Sequence, residues 1–180
     1  MYFTPTQEEN MGSAAGCLAD IALAQRDIGL TVAATATMER ALDLVRRISS
    51  DDHRSSALKV LAVAQARFGD FAATKQMVDE ITRENDRRWA QKEIAELQAR
   101  AGFAAEAVRT VETALIERRK LFDELAQVFS EVSDRDGLKR LLRPCAHEIN
   151  SAYHLCGLLA KNYPDQLKAL CDAVIKAEPV

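Results

Sequence analysis

One pattern occurs three times in this chain: a large aliphatic residue, Ala, two residues, Gln, three residues, Gly. The copies are Ile21-Ala22-Leu23-Ala24-Gln25 with Gly29, Leu61-Ala62-Val63-Ala64-Gln65 with Gly69, and Ile94-Ala95-Glu96-Leu97-Gln98 with Gly102. The second and third copies are 33 positions apart at each matched residue, as 61 to 94 and 69 to 102 show. A period of this length constrains the fold more than composition does. It is the length of one helix, a turn and a second helix, a unit that cannot bury its own apolar face and must stack on neighbours.

Each copy reads as such a unit. Leu58, Leu61, Ala62 and Gln65 are three or four apart and share one helix face. The small Ala admits a neighbouring helix, and Gly69 stands where the first helix stops and the chain reverses. Asp70 then caps a second helix that carries Thr74, Met77, Val78 and Ile81 inward. The third copy repeats this with Ala107, Val111, Ala114 and Leu115 after Gly102. Two weaker copies lie further along the chain. Leu125-Ala126, the turn Ser133-Asp134 and Leu138, Leu141 and Leu142 form a fourth. Leu155, Leu158 and Leu159, the break Tyr163-Pro164-Asp165 and Leu167, Leu170 and Val174 form a shortened fifth. The first copy has about seven extra residues within Leu30 to Thr37, either a longer second helix or a loop.

Composition agrees with an all-α fold. Ala, Leu, Glu, Arg and Gln dominate, Gly and Pro number only 7 and 4 in 180 residues, and no sustained polar–apolar alternation suggests a sheet. The reading is a flexible N-terminal extension over 1–12 and a single domain over 13–180. A net charge of −3 gives no basic surplus for neutralising phosphates, so no nucleic acid is expected as a partner. The first residues lack a basic start followed by an apolar run, and no apolar segment has the length a bilayer needs. No membrane is therefore expected, and a cytoplasmic, bacterial protein with reduced thiols is the expectation.

The repeat resembles the tetratricopeptide repeat. Leu61, Ala62, Gln65, Gly69, Phe71, Val78 and Ile81 take that family's packing positions in one unit, and Ile94, Ala95, Gln98, Gly102, Ala107, Val111 and Ala114 take them in the next. Gln stands where the family commonly has Tyr, Thr74 stands at a usual Ala, and the Pro that ends each unit is missing. The clear resemblance covers Arg54 to Lys120, about a third of the chain. It implies a right-handed α-solenoid of about five antiparallel helix pairs, with a concave groove that holds a segment of another protein. It places Lys59, Val63 and Arg67 on the groove side of one unit. Trp89, Lys92, Glu96 and Arg100 fall there in the next, and Asp123, Gln127 and Glu131 in the one after. The pairs Lys59/Lys92 and Arg67/Arg100 recur at the repeat period, and two such cationic rows would steer an acidic partner segment. Solvation of a helix face is the plainer reading of the same four residues. Trp89, the sole tryptophan, reads equally as an anchor between helices or as an interface hot spot.

The Cys145, His147, His154 and Cys156 constellation has a zinc ligand set, but residues two apart point about 200° apart on one helix. The four converge only if a turn lies near Asn150-Ser151, and buried Cys is common as a small hydrophobe, so no metal and no cofactor are expected. No phosphate loop, nucleophile elbow or H-E-x-x-H occurs. The expected function is a non-catalytic interaction module or scaffold. A zinc-binding regulatory protein and a homo-oligomeric structural subunit are the alternatives.

Overall fold

The computed structural model describes residues 3–114, 118–145 and 149–164, and no strand occurs among them. The helices are α1 (Pro5–Asp27), α2 (Thr31–Arg46), α3 (Asp51–Phe68), α4 (Phe71–Glu80), α5 (Glu84–Arg100), α6 (Ala104–Glu112), α7 (Arg118–Glu131), α8 (Arg135–Cys145) and α9 (Ile149–Asn162). The chain divides into two compact units, residues 1–91 and 92–180, where the sequence suggested a single domain over 13–180. Helices adjacent in sequence pack on one another, α1 on α2, α2 on α3 and α3 on α4 in the first unit and α6 on α7, α7 on α8 and α8 on α9 in the second, as a helical repeat requires.

The three repeat glycines do what their spacing predicts. Gly29, Gly69 and Gly102 have φ of 84°, 84° and 83°, the left-handed conformation that ends a helix at little cost only when no Cβ is present. In the fourth copy Ser133 adopts φ 57° at the same point, so the turn survives the loss of its glycine. The repeat Gln has a structural role that its place in the pattern did not reveal. Gln65 donates from Nε2 to Asp70 Oδ2 at 3.3 Å, and Gln98 accepts at Oε1 from the Thr110 hydroxyl at 2.8 Å. In both units it ties a first helix to the chain beyond the turn.

The first unit begins earlier than expected. Thr4 accepts at its hydroxyl from the Gln7 amide at 3.3 Å, and Gln7 Oε1 accepts from the Thr4 amide at 2.8 Å. With Pro5 at the first helical position this is a capping box, so residues 5–11 are the opening turns of α1 and not a flexible extension. Glu8 then reaches the corner between α2 and α3. Its buried carboxylate accepts from the amides of Ser49 at 2.9 Å and Ser50 at 3.2 Å, and lies 3.4 Å from His53 Nδ1.

Further along α1, Gly12, Ala15, Gly16, Ala19 and Ala22 form a seam of small residues at helical spacing. A Cβ on Gly12 would lie 3.6 Å from that of Ala57, so α1 and α3 approach closely. The extra residues of the first copy belong to α2, which is one helix of 16 residues against 10 for α4, deciding for the longer helix over a loop. Asp70 caps α4 by accepting from the Ala73 amide at 3.0 Å, and Thr74, Met77, Val78 and Ile81 are buried as expected.

The second unit is packed with larger side chains. Leu121, Phe122, Leu125 and Phe129 of α7 meet Val111 of α6, Leu138 and Leu141 of α8 and Leu155 and Leu159 of α9 in one apolar cluster. Ala107 and Ala114 join it as the third copy predicts, with Leu142 and Leu158 partly buried at its edge. Asp134 caps α8, accepting from the Gly137 amide at 2.9 Å, and Phe129 presses so close to Gly137 that a Cβ there would lie 2.5 Å from the ring. Leu115, Leu167, Leu170 and Val174 lie outside the described residues.

Candidate functional site

The residues assigned to a groove fare differently in the two units. In the first, Val63 is buried among core residues at 6% exposure, so its place on a binding surface is corrected to a packing role. Position 63 lies between Ala62 and Ala64, both also buried, because α3 is covered on more than one side. Lys59 is held from two directions, with Nζ 2.7 Å from Asp86 Oδ1 and 5.4 Å from the centroid of the Trp89 ring. Trp89 is 43% exposed and serves as the face on which this lysine rests. Arg67 is exposed, and its carbonyl accepts a hydrogen bond from the Arg26 guanidinium.

In the second unit the assigned residues converge. Glu96 and Arg100 of α5 and Asp123, Gln127 and Glu131 of α7 line one cavity of about 560 Å³. Spacings of four along each helix put them on one face, and the buried core residue Val128 closes the cavity floor. Lys120 and Glu124 of α7 and His154 of α9 complete the lining. Lys120 and Glu124 belong to the same stripe as Gln127 and Glu131, at intervals of four, three and four, so periodicity alone could have found them. His154 could not be assigned this way, because nothing in the sequence sets α9 against α7.

Electrostatics divide the cavity into a satisfied end and an unsatisfied one. Arg100 Nη2 lies 2.9 Å from Glu131 Oε2, and Gln127 Nε2 donates to Glu131 Oε1 at 3.4 Å. The Arg100 hydrogen bond, helped by that of Gln127, holds the Glu131 carboxyl below its ordinary range. At the other end Lys92 Nζ is 3.8 Å from both Glu96 Oε1 and Glu124 Oε2, too long for a good hydrogen bond to either. Asp123 makes no ion pair among the described residues. Burial raises the Glu96 carboxyl above its ordinary range; Lys92 and Arg100 oppose the rise, while Glu93 and Glu124 add to it.

The expected cationic rows are thus largely neutralised: Lys59 by Asp86, Lys92 by Glu96 and Glu124, and Arg100 by Glu131. Of the zinc constellation, Cys145 is buried, Cys156 half-buried and His154 exposed, while His147 lies outside the described residues. Among the described residues no group of three or more His, Cys, Asp or Glu is placed to hold a metal ion. No helix among them is long and apolar enough to cross a membrane. Compared with family models, curated proteins and solved structures, the chain matches none.

Proposed function

We propose that this protein is a non-catalytic interaction module that receives a segment of another protein in the cavity of its second unit. The reading rests chiefly on one observation. Glu96, Arg100, Asp123, Gln127 and Glu131, which the family resemblance assigned to a groove side, line a single cavity. Its lining offers carboxylates, an amide and a guanidinium, groups suited to orienting a bound chain through hydrogen bonds and ion pairs.

We read the helix pairs as units of a tetratricopeptide-like, right-handed solenoid of antiparallel pairs. Support comes from the three left-handed glycines at the repeat turns and from contacts between next-but-one helices, α1 with α3 in one unit and α6 with α8 and α7 with α9 in the other. A cytoplasmic location belongs to the same reading.

Affinity capture from native lysate with quantitative mass spectrometry tests it, comparing the wild type with Gln127→Trp. Gln127 is exposed, so the larger ring occupies the cavity without disturbing the core. A protein retained by wild type and lost by the variant is the expected result. Equal retention by both would remove the cavity from the binding surface.

A further inference from the structure

The unsatisfied end of the cavity bears on what occupies it. Glu96, Asp123 and Glu124 bring three carboxylates to the α5–α7 wall, and the ion pairs within the unit bring them one ammonium, Lys92, at 3.8 Å from two of them. The cations Arg100 and Lys120 also line the cavity. Arg100, however, is engaged with Glu131 at 2.9 Å, so Lys92 and Lys120 alone stand against Glu96, Asp123 and Glu124, an excess of one negative charge. Burial and the neighbouring carboxylates Glu93 and Glu124 work against the charged form of Glu96, so a further cation entering here would be drawn in. An acidic segment would meet these carboxylates with like charge, a juxtaposition that suppresses binding.

We infer that the occupant of this cavity is a protein segment presenting a Lys or Arg side chain to Asp123, Glu124 and Glu96. This inference rests on the interaction-module reading and reverses the charge of partner that the sequence suggested. A single cation between Asp123 and Glu124 would complete the wall as Arg100 completes Glu131 at the opposite end, and a planar guanidinium fits the carboxylate geometry best.

Selection from a random short-peptide library on the wild type, with counter-selection against Gln127→Trp, tests both the inference and the reading beneath it. The expected outcome is a set of cavity-dependent binders enriched in Lys and Arg. Their affinity should weaken with added salt and fall roughly tenfold in an Asp123→Asn, Glu124→Gln double variant. Both substitutions keep the size of exposed or half-exposed side chains, and circular dichroism checks that the helices persist. Cavity-dependent binders rich in Asp and Glu, or unaffected by the double variant, would overturn the cationic occupant and leave the interaction module standing. Failure to obtain any binder that distinguishes wild type from Gln127→Trp would overturn both.

Discussion

The two units solve the same packing problem with different materials. In the first, α1 meets its neighbours through Gly12, Ala15, Gly16, Ala19 and Ala22, and small residues recur at Ala34, Ala41, Ala57 and Ala62. Helices approach closely there, and polar groups finish the corners: Glu8 on the Ser49 and Ser50 amides, and the buried Ser55 hydroxyl on the amides of Thr82 at 3.2 Å and Arg83 at 3.3 Å. In the second, Phe122, Phe129 and a set of leucines fill a wider space between helices. The first unit is therefore sensitive to added volume and the second to lost volume. The contrast extends to charge, because the second unit has the cavity with the incompletely paired groups.

The largest expected effect that would sharpen this contrast is in the second unit. Phe129→Ala removes a ring with no exposed surface and should destabilise by about 3–5 kcal/mol in chemical denaturation. A cost below about 1 kcal/mol would mean that the cluster collapses around the loss and is not tightly packed. Next in size is the opposite change in the first unit. Ala19→Leu forces extra methylenes into the α1 seam and should cost about 1–3 kcal/mol. A neutral result would break the comparison, since the seam would then have room to spare.

The turns give a smaller, paired effect. Gly69→Ala places a Cβ in the left-handed conformation and should destabilise by about 1 kcal/mol, whereas Ser133→Gly removes one and should stabilise by about 0.5–1 kcal/mol. Thermal unfolding of the two variants checks whether the fourth copy truly preserves the repeat turn. The same sign for both substitutions would show that it does not.

The smallest effects are in pH dependence, and they have opposite signs in the two units. The amide of Ser49, with His53 and the Ser50 amide assisting, keeps the Glu8 carboxyl below its ordinary range against the opposing effect of burial. Its contribution to stability is therefore present above the ordinary carboxylate range and lost as pH falls through the lowered value. Glu8→Gln should flatten the acid limb of a stability–pH curve. Glu96 is shifted the other way, so the folded state binds its proton more readily than the unfolded chain and stability declines as pH rises through the raised value. Glu96→Gln should stabilise slightly at neutral pH, because it removes a charge that burial disfavours. Acid and neutral denaturation series on both variants distinguish the two cases.

Much of the fold was legible in the sequence because it is local. The glycine turns, the Asp70 cap and the inward positions of both middle copies depend on residues a few places apart. The start of α1 was not read from the sequence, because an acidic, polar opening obscured the cap signature of Thr4, Pro5 and Gln7. Nor were contacts across long stretches of chain. Nothing near Glu8 announces an amide 41 residues away, and Lys59 looks like a free surface cation until Asp86 is placed against it. Val63 sits at a position the family resemblance assigns to the groove and is buried because helices cover α3 on more than one side. Glu96 and Arg100 of α5 and Asp123, Gln127 and Glu131 of α7 line one cavity because spacings of four keep each set on one face of its helix.

The most direct test of the cavity as the binding surface is site-specific photo-crosslinking in the native lysate. A photoreactive phenylalanine is placed at Gln127 in one sample and at the exposed Gln76 of α4 in another. The expected result is one discrete protein adduct from position 127 that position 76 does not give. The same adducts from both positions, or none from position 127, would contradict a binding role for the cavity.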